Sequence, residues 1–439
     1  MDQLPDDRAE VVFEDYKPAY TMAQALAEAN RCLYCAHPPC VSACPTSIDI
    51  PTFIRRIADE NPLGSAQTIF DANILGMSCA RVCPVEVLCV GDCVYNAMGV
   101  PPIQIGKLQR YATDLAFERG ERFFEAGEDT GKRVALVGAG PASLAAAHEL
   151  RRFGHSVTIF ERDDHLGGLN TTGVAPYKMK ADRALEEAAW ILGIGGVEVR
   201  SNVNVPGDVS WAELEEGFDA VFIGFGLGPD RLLDLPNADA SGIHGAVDFI
   251  AQMKLEAVDL SHVKRAVVLG GGNTALDCVR ELPGLGVAEV SMVYRGDEAS
   301  MSGYAHEWAV AKQLGVRGAW RLQPVGFVAG DAGQVTGVRC QPLGADKRPL
   351  AGAEEVVIAA DLVLLAIGQS RLGDLAAALD GVEVEWGRIL TDEHGATGRP
   401  GVWAGGDCAN GGKEVVNAAA EGKAAARSIH AHLTGGPHA

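Results

Sequence analysis

Short apolar runs alternate with longer amphipathic stretches along most of the chain after residue 130. The stretch "KRVALVGAGPASLAAAHELRRFGHSVTIFER" predicts a strand over residues 134–137, a glycine turn over residues 138–140, a helix from Pro141 and then a second strand. Apolar residues followed at once by a glycine turn are typical of a buried strand in a parallel sheet. The pattern predicts an α/β region in which strands and helices alternate.

The first glycine turn has the residue types of a dinucleotide-binding turn. Gly138 and Gly140 permit a tight bend and let a pyrophosphate approach the backbone where the helix begins. Ser143 stands where a third glycine or an alanine is usual, and its small side chain still allows close packing. Glu161 ends the second strand, where an acid can bind the ribose hydroxyls of an adenosine. This combination favours a nucleotide site over an ordinary turn between a strand and a helix.

The same pattern recurs later in the chain. The stretch "KRAVVLGGGNTALDCVRELPGLGVAEVSMVYR" predicts a strand over residues 266–269, a turn over residues 270–272, a helix from Asn273 and a strand over residues 290–294. The second strand is followed by Arg295 rather than by an acid, and an arginine there often stacks on the adenine or binds a 2′-phosphate. The repeat predicts a second dinucleotide site.

The C-terminal segment returns to the first type of unit. The stretch "GVWAGGDCANGGKEVVNAAAEGKAAARSI" predicts a strand, a turn at Gly405, Gly406 and Asp407, and then one long helix. Asp407 follows a strand and precedes a helix, so its carboxylate either binds the ribityl chain of a flavin or forms the turn itself. With the two glycine turns, this segment predicts an FAD domain that is interrupted by a nicotinamide nucleotide domain.

Two cysteine-rich runs precede the α/β region. The runs "RCLYCAHPPCVSACP" and "CARVCPVEVLCVGDC" together contain Cys32, Cys35, Cys40, Cys44, Cys79, Cys83, Cys89 and Cys93. Disulfides, zinc sites and iron–sulfur clusters are three competing interpretations. Each run contains a Cys-Pro pair, which is typical of ferredoxin-type cluster runs. The spacing favours two 4Fe–4S clusters.

Composition and charge exclude several classes of partner. The 439-residue chain has 37 basic and 58 acidic side chains, a formal net charge of -21. This balance disfavours nucleic acid and anionic membrane surfaces, since both attract clustered lysine and arginine. No apolar run has the length of a membrane span, and the acidic start "MDQLPDDRAE" is not typical of a signal peptide. We therefore expect a cytoplasmic protein with reduced thiols, which argues against disulfides.

The remaining cysteines and the N-terminal segment are expected to be structural or disordered. Cys278, Cys340 and Cys408 form no CxxC pair, so we expect them to be buried small hydrophobic residues. Residues 6–20 form either an arm that packs on a neighbour or a disordered terminus, and we expect the latter, as termini are often disordered.

These patterns predict an α/β fold with a particular domain order. An all-helical iron–sulfur domain occupies residues 1–125. Two Rossmann-like dinucleotide-binding domains follow: an FAD-binding domain formed by residues 126–255 and 369–439, and an NAD(P)-binding domain over residues 256–368. The "AGEDTGK" stretch, rich in glycine and acidic residues, is the predicted linker after the first domain.

The motifs together resemble those of a known family. The stretches "EANRCLYC", "CARVCP", "GAGPAS", "GGGNTALDC" and "GGDCANGGKEVVNA" resemble the small subunits of NAD-dependent dihydropyrimidine dehydrogenases. The chain is also similar to the small subunits of glutamate synthases and to the N-terminal half of single-chain eukaryotic dihydropyrimidine dehydrogenases. The resemblance extends over residues 31–429.

The resemblance implies a ligand set for each cluster. One cluster is expected on Cys32, Cys35, Cys40 and Cys93, and the other on Cys44, Cys83, Cys89 and Gln109. Gln109, in "IGKLQRY", matches the position of a glutamine ligand in the dihydropyrimidine dehydrogenases. Cys79 is a rival for this fourth position, and the choice between them stays open. A glutamine in place of a thiolate changes the net charge of the cluster and therefore its potential.

The resemblance also implies which residues contact the two nucleotides. The residues expected at FAD are Gly138, Gly140, Pro141, Ala142, Ser143, Leu144, Glu161, Gly168, Leu169, Lys178, Gly406 and Asp407. Those expected at NAD(P)H are Gly271, Gly272, Asn273, Thr274, Arg295, Ala366, Ile367 and Gly368. Asp297 and Glu298 follow Arg295 closely and would repel a 2′-phosphate, so the pattern favours NADH over NADPH.

By the same resemblance, the expected function is electron input. Electrons would pass from NADH through FAD and two 4Fe–4S clusters to an FMN- and iron–sulfur-containing dihydropyrimidine dehydrogenase catalytic subunit, which reduces uracil and thymine. The sequence contains no identifiable general acid for a pyrimidine, so no catalytic residue is assigned. The alternatives are a glutamate synthase small subunit, a stand-alone NADH:ferredoxin oxidoreductase and a non-catalytic scaffold.

Overall fold

A computed structural model of the chain describes residues 4–436, and its N-terminal part is helical. The helices of this part are α1 (Met22–Ala29), α2 (Pro39–Ser42), α3 (Ile50–Ala58), α4 (Pro62–Ala72), α5 (Gly76–Val82), α6 (Val94–Ala97) and α7 (Ile105–Glu118). Thr21 caps α1 through a reciprocal pair of hydrogen bonds with Gln24, and the Asp49 carboxylate caps α3. Phe53, Ile54 and Ile57 bury one face of α3, as the amphipathic pattern requires.

The first part of the α/β region follows this helical part. Its elements are β1 (Arg133–Val137), α8 (Pro141–Arg152), β2 (Ser156–Phe160), α9 (Leu169–Thr172), α10 (Ala181–Leu192), β3 (Val197–Arg200), α11 (Trp211–Gly217) and β4 (Ala220–Ile223). Strand β1 is buried except at its first residue, and it pairs in parallel with both β2 and β4. A central parallel strand is buried on both faces, which is why its sequence is a continuous apolar run.

The second part repeats this arrangement and adds an antiparallel insertion. Its elements are β5 (Ile243–Gly245), α12 (Ala246–Leu255), β6 (Arg265–Leu269), α13 (Asn273–Gly284), β7 (Glu289–Tyr294), α14 (Ala305–Gln313), β8 (Arg317–Trp320), β9 (Leu322–Ala329), β10 (Val335–Pro342), β11 (Val356–Ala359) and β12 (Leu362–Leu365). Strands β9, β10 and β11 form a separate antiparallel sheet.

The C-terminal part completes the first sheet. Its elements are α15 (Gly373–Ala376), β13 (Val384–Glu385), β14 (Arg388–Ile389), β15 (Val402–Ala404), α16 (Asp407–Asn410) and α17 (Val415–Thr434). The first five-stranded sheet has the order β15-β4-β1-β2-β3, and the second has the order β5-β12-β6-β7-β8. The fold class is confirmed: a helical N-terminal part is followed by two parallel-sheet units, one of which interrupts the other.

The position of β5 bears on the predicted domain edges. This strand precedes residue 255, yet it pairs with β12 in the second sheet. The domain edges at residues 126, 255 and 368 stay predictions. Among residues 4–436, no helix combines the length and the apolar character needed to cross a bilayer.

The expectation of a disordered N-terminal segment is wrong for residues 6–20. The Ala9 N–H donates to the Glu256 carbonyl at 3.0 Å, and the Glu10 carboxylate accepts from the Ala181 N–H at the start of α10. Further along the segment, the Asp15 carboxylate pairs with the Arg110 guanidinium of α7 at 2.6 Å. The segment is ordered because its polar groups find partners in all three parts of the molecule, and sequence pattern does not reveal such partners.

Candidate functional site

A cavity of about 990 Å³ lies where the three parts of the molecule meet. The first glycine turn and the start of α8 contribute residues 138–142 to its wall, and Asn273 and Thr274, the first two residues of α13, also line it. Cys83 and Pro84, directly after α5, also line it. One continuous space therefore borders the first glycine turn, the start of α13 and the second cysteine-rich run. Its volume is at the upper end of the range for small-molecule and cofactor sites.

The first glycine turn leaves room for a ligand at its backbone. Gly138 has φ +95°, and a Cβ there would lie 2.6 Å from the Gly224 carbonyl oxygen of the neighbouring strand connection. A Cβ on Gly140 would approach no closer than 4.0 Å to any atom, so the space beside this residue is open. The turn therefore fits a pyrophosphate placed against the start of α8. Ser143 is fully buried and packs against Gly224, in agreement with its predicted role.

Glu161 lies directly after β2 at the cavity wall, as predicted. Its carboxylate accepts hydrogen bonds from the Ala139 N–H at 2.7 Å and from the Asp163 N–H at 3.0 Å. Burial raises the pKa of Glu161, and these two hydrogen bonds oppose the shift. The carboxylate is held against the glycine turn, in a position that fits a ribose.

Asp407 lies at the end of β15 and begins α16. Burial raises the pKa of Asp407 to about 6, although the Lys413 N–H donates to its carboxylate at 3.2 Å. The long helix predicted after this residue is wrong in one respect. Gly411 has φ +86° and Gly412 has φ +103°, so helix α16 ends before these glycines and a separate helix, α17, begins after them. Left-handed glycines end helices, and here they return the backbone to the cavity wall.

Lys178 lines the cavity but is already paired. Its ammonium lies 2.8 Å from Asp277 Oδ1 on α13 and 2.9 Å from Glu307 Oε1 on α14. Burial alone would lower the pKa of Lys178, but the two carboxylates outweigh it and raise the pKa. The Tyr177 hydroxyl also donates to Asp277 at 2.6 Å. Lys178 therefore joins the two parallel-sheet units at the cavity through these two ion pairs.

A smaller cavity of about 250 Å³ shares part of its wall with the first, at the start of α13. Thr274, Ala366 and Gly368 line it, as expected for a nicotinamide nucleotide site, and Arg371 lines it as well. Gly270 has φ +145°, and a Cβ there would lie 2.2 Å from the Ala366 carbonyl oxygen. The predicted residue Ile367 packs instead among apolar residues of the second unit. Because Thr274 lines both cavities, a nucleotide in the smaller one can reach the larger one.

The acidic residues after Arg295 have local partners. Asp297 accepts from the Ser300 N–H at 3.1 Å and pairs with Arg321 at 3.3 Å. Glu298 pairs with Lys312 at 2.7 Å. Arg295 itself is exposed and makes no side-chain hydrogen bond to any other residue within 4–436. The segment after β7 therefore offers one free guanidinium next to two neutralised carboxylates, although neither Arg295 nor the predicted contacts Gly271 and Gly272 are among the residues that line the two cavities.

The first group of predicted cluster ligands is assembled in space. Burial raises the pKa of Cys40 to about 11, and the neighbouring thiols of Cys32, Cys93 and Cys35 add to the shift. Burial likewise raises the pKa of Cys32, again with Cys35 and Cys93 as neighbours. Four thiols from two separate runs thus converge, and such a donor set fits a 4Fe–4S cluster.

The second group assembles around the end of α5. A hydrogen bond with Cys79 and burial both raise the pKa of Cys83, and Cys89 and Cys44 contribute to the shift. Burial raises the pKa of Cys89 to about 12, and the neighbouring thiols of Cys44 and Cys40 add to this shift. Because Cys40 belongs to the first group, the two groups lie next to each other.

Both candidates for the fourth ligand of the second group are buried. Cys79 lies on α5, and its sulfur accepts from Asn73 Nδ2 at 3.2 Å. Gln109 lies on α7, and its Nε2 donates to the Gly76 carbonyl at 2.8 Å. Cys79 forms a hydrogen bond with Cys83, whereas Gln109 is bonded to the backbone at the start of α5. Both residues are thus held at this helix, and the choice between them as the fourth ligand stays open.

Zinc is a poorer fit than a cluster for these cysteines. Within residues 4–436, no three side chains of the types His, Cys, Asp and Glu are placed to hold a single metal ion. A structural zinc site needs four ligands around one ion, whereas a cuboidal cluster places each thiolate on a different iron. The three other cysteines, Cys278, Cys340 and Cys408, are buried among apolar residues, which confirms the expectation.

Sequence pattern missed several polar residues of the cavity wall. The Tyr304 hydroxyl donates to Glu414 Oε1 at 2.7 Å, directly before α17, and the Tyr304 N–H donates to Asn273 Oδ1 at 3.1 Å. Asp277 and Glu307 were missed as well. These residues carry no motif, and their meaning comes only from the elements that bring them together.

Comparison with protein families agrees with the division of the chain. The family model described as dihydropyrimidine dehydrogenase domain II, 4Fe-4S cluster, matches residues 8–121. The model described as pyridine nucleotide-disulphide oxidoreductase matches residues 132–422, which is more than half of the chain. The first match confirms 4Fe–4S chemistry in the helical part, and the second confirms a flavin- and NAD(P)H-dependent oxidoreductase unit.

Relatives match along nearly the whole chain. The glutamate synthase [NADPH] small chain of Escherichia coli (strain K12) is 34% identical over 95% of this chain and 93% of its own. The NAD-dependent dihydropyrimidine dehydrogenase subunit PreT of the same strain is 35% identical over 96% of this chain and 97% of its own. Among solved structures, T. acidophilum thioredoxin reductase aligns with a TM-score of 0.55 and 21% identity, over 69% of this chain and 99% of that one. That likeness concerns the fold alone.

Proposed function

Because the chain belongs to the family of NAD(P)H-dependent iron–sulfur flavoprotein subunits that includes the glutamate synthase small chains and the dihydropyrimidine dehydrogenase subunits PreT, we propose that it is an electron-input subunit. It takes electrons from NADH and delivers them, through FAD and two 4Fe–4S clusters, to an FMN- and iron–sulfur-containing partner that reduces uracil or thymine. When bound, FAD supplies the conversion of a two-electron hydride into single electrons.

One observation carries this proposal: the large cavity borders the first glycine turn, the start of α13 directly after the second turn, and Cys83. A flavin bound against the first turn has a nicotinamide site on one side and the second cysteine group on the other. The two cysteine groups adjoin at Cys40 and Cys89. If FAD and both clusters were bound as proposed, the Cys83 group would hold the cluster nearer the flavin and the Cys32 group would hold the more distant one.

The residues of the chain act mainly by binding and orienting. Gly140 gives the pyrophosphate access to the start of α8, and Glu161 presents a carboxylate beside the ribose. Asp407 also lines the cavity, where its carboxylate would be available to the flavin half. Lys178 keeps the two units in register through Asp277 and Glu307. No residue transfers a proton to the final substrate in this proposal, since that chemistry belongs to the partner.

The preference for NADH follows from the charges around Arg295. Arg321 and Lys312 are the nearby cations, and each is paired with an acid, Asp297 or Glu298. A 2′-phosphate would therefore meet one free guanidinium, that of Arg295, because the two nearby cations are already engaged by acids, and NADPH would gain little from a single positive charge. We therefore expect a higher kcat/KM for NADH than for NADPH.

The first test is an anaerobic titration of the purified chain with NADH. We expect the visible flavin absorption to bleach and a rhombic or axial EPR signal of a reduced 4Fe–4S cluster to appear. A chain that contains FAD but is not reduced by NADH would contradict electron input and would support the scaffold alternative.

The fourth ligand of the second cluster needs its own pair of variants. If Gln109 binds iron, Gln109→Ala changes the EPR signal of that cluster, and Cys79→Ser leaves it unchanged. If Cys79 binds iron, the effects are reversed. We propose Gln109, in agreement with the family resemblance, and a signal altered only by Cys79→Ser would overturn this assignment.

The identity of the partner separates the proposal from its main alternative. Affinity purification of the tagged chain under anaerobic conditions is expected to retain an FMN subunit that reduces uracil with NADH. The glutamate synthase alternative is supported by a relative of nearly the same identity, 34% against 35%. Retention of a glutamine-dependent large subunit would establish that alternative.

A further inference from the structure

Three buried polar side chains form a hydrogen-bonded chain between α5 and the large cavity. Glu187, on α10, is fully buried, and its carboxylate accepts from the backbone N–H groups of Met77 at 2.9 Å and Ser78 at 3.1 Å. The Ser78 hydroxyl forms a short hydrogen bond to the same carboxylate. Asn170, on α9, donates from Nδ2 to the Ser78 hydroxyl oxygen at 2.8 Å. The start of the cysteine-bearing helix is thereby tied to the segment after the Gly168 turn.

The direction of these bonds fixes the orientation of the Asn170 amide. The Ser78 hydroxyl has one hydrogen, which it donates to the Glu187 carboxylate, so Asn170 can approach it only with the amide nitrogen. Asn170 is 1% exposed and lines the cavity, and its Oδ1 has no hydrogen-bond partner within residues 4–436. Leaving a buried acceptor unpaired destabilises it relative to water, so a hydrogen-bond donor from a ligand would remove that penalty.

The surroundings of Asn170 indicate which half of FAD supplies that donor. The adenosine half fits the carboxylate of Glu161, and the pyrophosphate fits the turn at Gly140, against which the segment just before Asn170 packs: the Gly167 N–H donates to the Ala139 carbonyl at 2.9 Å. Asn170 is instead tied to α5, whose C-terminal end leads into Cys83. A flavin ring that passes electrons to the Cys83 group must lie on this side, and the ring carries N–H donors.

We propose that Asn170 is a positioning residue whose Oδ1 accepts a hydrogen bond from an N–H of the flavin ring, and that Ser78 and Glu187 fix this oxygen relative to α5. The inference rests on the proposed function because it places FAD in this cavity. One hydrogen-bonded unit then holds both the flavin ring and the helix of the second cysteine group. In this proposal the hydrogen-bonded unit of Glu187, Ser78 and Asn170 keeps the distance between the flavin ring and α5 constant.

The test compares FAD binding and the flavin spectrum in variants of the full-length holoprotein. Asn170→Leu removes the acceptor at similar volume, and Ser78→Ala removes the bridging hydroxyl without adding bulk. For Asn170→Leu we expect about tenfold weaker FAD binding, measured from FAD release on dilution, together with a displaced visible absorption band. For Ser78→Ala we expect a smaller loss, about threefold, and the double variant should bind FAD no more weakly than Asn170→Leu alone, because both changes act in one chain.

The control is Glu186→Gln, next to Glu187 but on the partly exposed side of α10, where it pairs with Arg183. It should leave both readouts unchanged. The inference is overturned if Asn170→Leu binds FAD within twofold of the wild type, or if binding weakens while the absorption band stays in place. If Asn170→Leu does not fold, a Ser78→Ala protein with wild-type affinity and spectrum overturns it equally. A wild type that holds FAD but is not reduced by NADH would count against the proposed function instead.

Discussion

The two parallel-sheet units are built to one plan but are completed differently. In each, an aspartate before an inner strand accepts from the backbone N–H of the first residue of the central strand: Asp219 from Arg133 at 2.9 Å, and Asp361 from Arg265 at 3.0 Å. The strand orders also correspond position by position. The two sheets differ in the first strand of these orders. In the first unit this edge strand is β15, from the C-terminal segment, and in the second unit it is β5, which precedes the central strand β6 in the chain.

The difference that bears on ligands lies after the second strand of each unit. In the first unit, the residue after the second strand is the buried Glu161, which is held against the glycine turn. In the second unit, the residue after the second strand is the exposed Arg295. The first unit also borders the helical part, whereas the second carries the antiparallel sheet of β9, β10 and β11. The comparison teaches that the shared turn specifies a dinucleotide, while the end of the second strand and the neighbouring elements decide which one.

The largest expected effect comes from filling the two turns. Gly138→Ala and Gly270→Ala each place a Cβ at a positive φ and within 2.6 Å and 2.2 Å of a carbonyl oxygen. We expect each to cost about 3 kcal/mol or more, enough for a hundredfold loss of nucleotide binding. Gly138→Ala should lose FAD, whereas Gly270→Ala should keep FAD and lose reduction by NADH. Gly217→Ala, where no atom lies within 4 Å, is the control. Loss of FAD from both variants would show that the two units do not bind independently.

The link between the units can be broken at Lys178. Lys178→Met leaves the buried carboxylates of Asp277 and Glu307 without their cation, and we expect the free energy of unfolding to fall by about 3–5 kcal/mol. Lys132→Met breaks the ion pair with Asp219, whose side chains are 41% and 30% exposed, and should cost less than about 1 kcal/mol. Equal losses in denaturant titrations of the two variants would contradict the bridging role of Lys178.

Two carboxyl groups, Asp407 of the first unit and Asp361 of the second, should respond oppositely to pH. Burial raises the pKa of Asp407 to about 6, so the folded state holds a proton that the unfolded state has lost. Stability of the FAD-free chain should therefore fall as pH rises from about 4 to about 6, by on the order of 3 kcal/mol from this group. Asp407→Asn should remove that slope. A hydrogen bond from Arg265 lowers the pKa of Asp361, so its contribution is present at neutral pH and is lost on acidification. An unchanged slope in Asp407→Asn would show that its carboxyl is not the group responsible.

The smallest expected effect concerns Arg295. If this guanidinium only stacks on the adenine, Arg295→Ala should lower kcat/KM for NADH and for NADPH alike, by about three- to fivefold. Steady-state kinetics with both nucleotides, using a soluble dye as acceptor, provide the measurement. A loss of a hundredfold or more confined to NADPH would mean that Arg295 binds a 2′-phosphate, and the preference for NADH would then need to be abandoned.

Regular elements were predictable to within a residue or two. The strands predicted over residues 134–137, 266–269 and 290–294 are observed as Arg133–Val137, Arg265–Leu269 and Glu289–Tyr294. Continuous apolar runs and glycine turns are local signals, and central parallel strands obey them because both of their faces are buried. The break at Gly411 and Gly412 was missed because glycine within an alanine-rich stretch is compatible with one long helix until neighbouring elements bend it.

By itself, the sequence determined the α/β class, the two dinucleotide turns, the cysteine-rich helical part and, through its motifs, the family. Tertiary structure alone decided how residues far apart in the chain meet. It paired Lys178 with Asp277 and Glu307, ordered residues 6–20, and connected Glu187 to Asn170 through Ser78. The physical reason is range. Backbone propensity and hydrophobic periodicity act between near neighbours, whereas a buried charge or an unpaired amide acquires its meaning only from the groups that surround it.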